Sequence, residues 1–278
     1  MLVWLNGALV DEREARISPF DHGLLVGDGA FETIRVYNGV PFAMTRHLER
    51  LETSAAALGI VIPARQTLRE ASGAVLRANG LAEARVRITV TAGRAPLGSA
   101  RGPGPPTVVV AASTLDPVEP TIAVAIPPWP RSERSALAGV KSISYAENVV
   151  ALAWAHERGA GEAIFANLAG NLCEGTGTNV FLVEDGRLLT PPLTAGCLAG
   201  VTRALVLEIA PRLGIDTTEQ DRQAAALSGA QEAFLTGTTR EVQPISSVDG
   251  HELGSAPGPL TERIAVAFGE LVATDPDP

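Results

Sequence analysis

The chain has 278 residues, is 46% hydrophobic and carries a formal net charge of -9. That length allows one large domain or two modest ones, and the acidic balance argues against nucleic acid as the main partner. No apolar run approaches a membrane span, the start MLVWLNGALVDERE lacks a basic leader and a cleavage site, and Cys173 and Cys197 fit neither a disulfide framework nor a metal-ligand spacing. A cytoplasmic protein is the expectation.

In chain order, MLVWL, Asn6-Gly7 and ALV predict a hairpin. A second strand pair is expected to flank Tyr37-Asn38-Gly39. Thr45 is placed to cap a helix with Leu48, Leu51, Ala55 and Leu58 on one face, stopped by Gly59. A further helix follows Pro63, carries Leu68, Ala71, Val75 and Leu76, and ends at Asn79-Gly80. RVRITVT (85–91) alternates strictly, so Val86, Ile88 and Val90 share one face and Arg85, Arg87, Thr89 and Thr91 the other. TVVVAAS (107–113) reads as a buried strand.

LDPVEPT (115–121) reads as a linker, which divides the chain into a domain over 1–114 and another over 122–278. The second part begins with the strand IAVAI, followed by a loop rich in proline and arginine, GVKSISY, and a helix from about Ala146 to Arg158. EAIFA, LCEGTGTN, VFLV and RLLT are short strands separated by turns. A helix opens near Gly200 with Val201, Leu205, Ile209 and Leu213 in one stripe. EAFLTG is a strand ending at Thr238-Thr239. The pattern is α+β in two parts, with no GxGxxG and no P-loop.

Of the 22 basic residues, one is lysine, Lys141; the other 21 are arginines. Arginine can replace lysine wherever only a solvated charge is needed. It cannot replace an amine that must lose its proton and attack a carbonyl. Lys141 is therefore a candidate for amine chemistry, against the plain alternative of chance. It follows Ala138-Gly139-Val140, an apolar setting that favours the free amine.

Other residues would suit an aldehyde cofactor that carries a phosphate and a pyridine ring. Glu174 enters the tight turn Gly175-Thr176-Gly177-Thr178, where an acid could face a ring nitrogen; a solvated turn acid is the ordinary alternative. Gly200, Val201 and Thr202 open a helix with free N–H groups and a hydroxyl, and Thr238 and Thr239 add two hydroxyls. Plain capping and turn chemistry is the ordinary reading of each of these taken singly, ahead of phosphate binding. Arg50 lies between Glu49 and Glu52 and has a surface arginine as its ordinary reading.

The ordered set GDGAFETIRVYNG (27–39), HLERL (47–51), GVKSISYAENVVA (139–151), GEAIFAN (161–167), LCEGTGTNVFLVEDGRLLTPPL (172–193), GCLAGVTR (196–203) and TGTTREVQPI (236–245) resembles the class IV aminotransferases, the fold-type IV pyridoxal phosphate enzymes. The resemblance spans about residues 3 to 250. It implies pyridoxal 5'-phosphate as cofactor, a small N-terminal α/β domain, a larger C-terminal domain with the cofactor between them, and a homodimer with a shared active site. It implies that Lys141 forms the Schiff base and carries the proton, that Glu174 meets the pyridinium nitrogen, and that Arg50 binds the phosphate. Val201 and Thr202, with Thr238, would complete the phosphate cradle. Leu198 would lie against the ring, Tyr145 would reach its phenolic oxygen, and Phe31 and Thr33 would line the substrate pocket.

Within the resembled family, FET (31–33) stands where branched-chain enzymes usually have FEG, and GDGAFETIRVYNG is closer to D-amino-acid transaminases and aminodeoxychorismate lyases. The expected activity is ping-pong transfer of an amino group between a D-amino acid and a 2-oxo acid. A lyase releasing pyruvate, or a branched-chain L-amino-acid aminotransferase, is the alternative. TAGRAPLG (91–98) lacks the Arg-x-His pair of D-amino-acid transaminases and the glycine- and arginine-rich segment of the lyases. Arg87 and Arg240 are then the candidates for holding the substrate carboxylate, with Arg94 and Arg101 behind them. The alternative is that Arg87 pairs with a surface acid and Arg240 points to solvent.

Overall fold

A computed structural model describes all residues, Met1–Pro278. The backbone divides into two units. The first comprises Met1–Asp116, Val140–Tyr145 and Asp275–Pro278; the second comprises Pro117–Gly139 and Ala146–Thr274. A single crossing at 115–121 was expected. The chain instead returns twice to the first unit, because residues 140–145 and 275–278 find their hydrogen-bonding partners there.

The first unit contains β1 (Leu2–Leu5), β2 (Ala8–Asp11), α1 (His22–Val26), β3 (Gly29–Tyr37), β4 (Val40–Pro41), α2 (Met44–Ala57), α3 (Arg65–Asn79), β5 (Ala84–Thr91) and β6 (Thr107–Ser113). Its six-stranded sheet runs β2-β1-β6-β5-β3-β4. In the first hairpin Leu5 faces Ala8 across a two-residue turn, with Asn6 and Gly7 at φ 48° and 107°. Positive φ at both turn residues matches the right-handed twist of the strands.

The alternation of β5 is observed. Val86, Ile88 and Val90 are fully buried with Ala30, Ile34 and Val36 of β3, against Leu48 and Leu51 of α2 and Leu68 and Val75 of α3. The opposite face carries Phe31 and Thr33 of β3, paired in register with Thr89 and Arg87.

Thr45 does not cap α2. The cap position lies two residues earlier, at Ala43 in the left-handed region at φ 51°, and the helix begins at Met44. Its N-terminus is closed from far along the chain. Asp277 accepts from the Thr45 N–H at 2.7 Å and from its hydroxyl at 2.6 Å, and the Pro276 carbonyl accepts from the Ala43 N–H at 2.8 Å. A carboxylate at a helix N-terminus satisfies orphan donors and complements the helix dipole more strongly than a hydroxyl. Asp277→Ala is expected to cost about 1 kcal/mol, the usual value of a lost cap, read as a lower urea midpoint with an unchanged slope.

The second unit contains β7 (Ile122–Ala125), α4 (Ala146–His156), β8 (Glu162–Ala166), β9 (Leu172–Gly175), β10 (Asn179–Glu184), β11 (Arg187–Thr190), α5 (Val201–Arg212), β12 (Thr217–Glu219), β13 (Glu232–Gly237), β14 (Glu241–Val248), β15 (His251–Glu252) and α6 (Pro259–Thr274). Its sheet runs β12-β11-β10-β13-β14-β7-β8-β9, with β15 on β14. β7 and β8 are parallel, a pairing that needs a crossover, and α4 supplies it. Helix α6 was not among the expected elements. It is held at its start by the buried Glu232, which accepts from the Leu260 and Thr261 N–H groups and the Thr261 hydroxyl.

Candidate active site

In the first unit, the segment carrying Lys141 is fastened to β3 and α2. The Phe31 N–H donates to the Lys141 carbonyl at 3.1 Å, and the Ile143 N–H donates to the Gly29 carbonyl at 2.9 Å. The Lys141 N–H donates to the Ser54 hydroxyl at 3.1 Å. Ser54 lies one helical turn beyond Arg50 on α2, so one helix anchors both the lysine backbone and the arginine.

The side chains converge on the buried Phe31 ring. Lys141 Nζ lies 4.4 Å from its centroid, the Arg87 guanidinium carbon 3.7 Å, and the Tyr145 ring meets it edge-on at 5.2 Å. Arg87 stands opposite Thr33 in the sheet and reaches Phe31 along the diagonal. It has no acidic partner, and its one hydrogen bond runs from Nε to the Thr89 hydroxyl at 3.2 Å. The surface-acid alternative for Arg87 is therefore removed. Partial burial pulls its guanidinium pKa down, with Tyr145 opposing, while the residue as a whole stays exposed.

Arg50 is not a plain surface arginine. Its side chain is 12% exposed, and Nε and Nη2 each donate to Glu32 at 2.8 Å. Glu32 is fully buried and also accepts from His47 Nδ1 at 2.7 Å. This acid was not singled out from the sequence, although the signal was there. Ala30, Glu32, Ile34 and Val36 share one face of β3, and a glutamate interrupts an otherwise apolar stripe.

Arg101 is withdrawn as a carboxylate candidate. Its Nε and Nη2 hold the two oxygens of Asp28 at 2.7 and 2.6 Å. Arg94 lies over the Phe20 ring at 5.4 Å, on a stretch bridged to Asp21. Asp28 also meets buried His22, whose Nδ1 lies 2.7 Å from Asp28 Oδ2 and whose Nε2 lies 3.1 Å from the Gly98 carbonyl. A carbonyl and an Arg-paired carboxylate only accept, so this setting favours the ring with both nitrogens protonated.

The hydrogen bond to Asp28 raises the His22 pKa against the pull of burial. A raised folded-state value means the stabilisation is complete below the unfolded value of about 6.5 and is lost as pH rises through the folded value. The urea midpoint is expected to fall over that window in the wild type and to stay flat in His22→Asn. Equal slopes would refute the assignment.

In the second unit, Glu174 is 8% exposed and pairs across the strands with Phe165. Its Oε1 accepts from Arg131 Nη1 at 2.9 Å and its Oε2 from the Leu198 N–H at 2.9 Å. A solvated turn acid is thereby excluded. The Gly175–Thr178 turn is organised by a second buried acid, Glu162, which accepts from the Thr176 N–H and hydroxyl and from the Thr178 hydroxyl.

Asn179, also missed in the sequence, joins the remaining groups. It pairs with Thr236 across β10 and β13, and its Nδ2 donates to the Leu198 carbonyl at 2.8 Å. A Cβ on Gly200 would fall 2.0 Å from Asn179 Oδ1, so only glycine permits this approach. Gly200 is the N-cap of α5, and no side chain caps the helix. The first N–H groups of such a helix are orphan donors of the kind an anion can take.

Thr238 and Thr239 lie in the three-residue turn between β13 and β14, just past the strand end, since Gly237 pairs with Glu241. Arg240 shares that turn and is held there. Its Nη1 donates to Gln243 at 2.7 Å and its Nη2 to the Gly161 carbonyl at 3.4 Å. It neither points freely to solvent nor lies uncommitted like Arg87.

Taken separately, each unit offers groups of a kind that suits a phosphorylated pyridine aldehyde: the first an amine and an oriented guanidinium, the second a bracketed buried carboxylate and a helix start with a glycine N-cap. The cysteines take no part, since burial pushes the Cys173 thiol well up and that of Cys197 to about 12.

The model of the family described as amino-transferase class IV matches residues 29–248. A Methanocaldococcus jannaschii protein, provisionally described as a branched-chain-amino-acid aminotransferase, is 36% identical over 98% of this chain and 96% of its own length. The D-alanine aminotransferase of Bacillus licheniformis is 32% identical over 99% of this chain and 98% of its own. The branched-chain aminotransferase of Thermoproteus uzoniensis, solved with norvaline, superposes with a TM-score of 0.92 at 34% identity, covering 98% of this chain and 94% of that one.

Proposed function

This chain belongs to the class IV aminotransferases, which use pyridoxal 5'-phosphate, and we propose that within the family it moves an amino group between a branched-chain L-amino acid and a 2-oxo acid. The observation that carries the amino-acid part is Arg87, a guanidinium without an acid partner on the same Phe31 ring that Lys141 approaches. An α-amino acid has its amine and carboxylate on one carbon. Such a substrate brings its amine to Lys141's side of the ring and its carboxylate to the Arg87 fork.

The branched-chain part is favoured by the archaeal relative and the Thermoproteus enzyme, and it takes the lead from the D-amino-acid substrate expected from GDGAFETIRVYNG. A D-amino acid is the second reading, favoured by the Bacillus relative. The bound cofactor supplies an electron sink for the substrate Cα–H bond. In this reading Lys141 moves the proton at that carbon, Glu174 holds the ring nitrogen, Arg50, Val201, Thr202 and Thr238 hold the phosphate, and Leu198 and Tyr145 flank the ring. The reading includes a homodimer, checked by mass in solution.

Half-reactions separate the alternatives. L-leucine, D-alanine and aminodeoxychorismate are added separately, and bleaching of the cofactor's visible band is followed. Rapid bleaching by L-leucine alone is expected; bleaching by D-alanine alone reverses the order of the two readings. Arg87→Ala is expected to raise the amino-acid KM about 10- to 100-fold, the scale of a lost charge-assisted pair. An unchanged KM removes Arg87 from the site.

A further inference from the structure

Glu32 is a charge where the fold needs none. It sits with Ala30, Ile34 and Val36 on the core face of β3, and it is fully buried. Buried ion pairs seldom stabilise relative to apolar residues of similar size, because desolvation offsets the attraction. Packing alone would favour a leucine here. The carboxylate instead clamps α2 at two points three residues apart, Arg50 through both Nε and Nη2 and His47 through Nδ1.

We propose that Glu32, steadied by His47, is a positioning residue that sets the plane of the Arg50 guanidinium for the phosphate of the cofactor. The proposal rests on the reading of Arg50 as a phosphate ligand. Two chain links make Glu32 suited to the task. Its neighbour Phe31 binds the Lys141 carbonyl through its N–H, and α2 returns from Arg50 to the Lys141 N–H through Ser54. The lysine and the arginine are thereby indexed to one short piece of β3.

The charges make the proposal testable by sign. Arg50 holds the Glu32 carboxyl down to about 2 although burial opposes it, and burial lowers the His47 pKa, so the ring is neutral near pH 7. Glu32 and Arg50 then nearly cancel. If Glu32 acted only through charge, its removal would strengthen the pull on a phosphate dianion. If it acts by orientation, removal weakens binding despite the added positive charge.

The experiment measures cofactor release from the full-length holoenzyme on dilution, for Glu32→Gln, His47→Gln and Arg50→Ala. Each variant is loaded in parallel with pyridoxal, which lacks the phosphate. Glu32→Gln is expected to weaken pyridoxal phosphate about 10- to 100-fold, the scale of one mis-set charge-assisted hydrogen bond. Pyridoxal should be held as in the wild type, and the 31P resonance of the bound cofactor should shift. His47→Gln keeps the carboxylate and is expected to show the same selective loss to a smaller degree, so the proposal is tested even where Glu32→Gln fails to fold.

Binding of pyridoxal phosphate as tight as in the wild type or tighter in both variants, with Arg50→Ala impaired, overturns the proposal and leaves the Arg50 reading intact. Equal weakening of both cofactor forms overturns it in favour of a structural role. A phosphate preference unchanged in Arg50→Ala overturns the Arg50 reading and the proposal together.

Discussion

Lys141→Arg is expected to abolish transamination, with turnover falling by about 10⁴-fold or more, since general acid–base catalysis alone contributes about 10²–10⁴ and the amine also serves as nucleophile. Charge is conserved in this variant, and Lys141 is only partly buried, so the fold is expected to survive. The guanidinium remains protonated throughout the physiological range, so it can neither attack a carbonyl nor accept the substrate proton. Borohydride treatment should attach cofactor mass to the peptide containing Lys141 in the wild type and to no peptide in the variant. A variant retaining more than about a hundredth of the activity, well above what loss of a general base permits, would show that the amine works elsewhere.

Glu174→Gln should have the second largest effect. The carboxylate accepts from Arg131 on one oxygen and from the Leu198 N–H on the other, so it is held in place before any ligand arrives. Removing one preorganised electrostatic partner typically costs about 10²–10³ in turnover, and that is the expected loss. Glutamine keeps the shape and an oxygen for one of the two donors, which limits the structural penalty of leaving Arg131 half-buried beside a neutral group. Cofactor should still bind, its visible band should shift, and thermal stability should change little. Activity within a few-fold of the wild type, far from the loss expected for an electrostatic partner, would remove Glu174 from the ring nitrogen.

The two residues differ in how the sequence reveals them. Lys141 stands out without any fold, because one amine among 21 arginines is visible in composition. Glu174 is visible only as an acid before a glycine-rich turn. Its partner Arg131 lies forty-three residues earlier in the chain, and no local period connects them.

Much of the architecture was legible for a local reason. Strict alternation in RVRITVT appears as β5 with Val86, Ile88 and Val90 buried. Asn6-Gly7 and Asn38-Gly39 turn hairpins because their backbones accept positive φ. Gly80 ends α3 in the left-handed region, as its position predicted. Each of these outcomes depends on residues only a few positions apart.

Other features were settled by distant chain. The Thr45 cap failed because Asp277 reaches the same N–H from the other end of the sequence. Arg50 looked like a surface residue among Glu49 and Glu52, yet its partner is Glu32 on a neighbouring strand. Arg101 looked available to a substrate, yet Asp28 occupies it. A charged group's role depends on which opposite charge the fold brings within hydrogen-bonding reach, and such pairing leaves no period in the sequence.

The sequence by itself therefore determined the alternating and helical stripes, the turns and the single lysine among the basic residues. These follow from backbone geometry and from composition. Tertiary structure alone decided which of the candidate arginines are clamped. Arg87 is left on Phe31 without an acid, whereas Arg50, Arg101 and Arg240 are each held by a partner. The physical reason is that a guanidinium's availability is what remains after the folded chain has satisfied its donors.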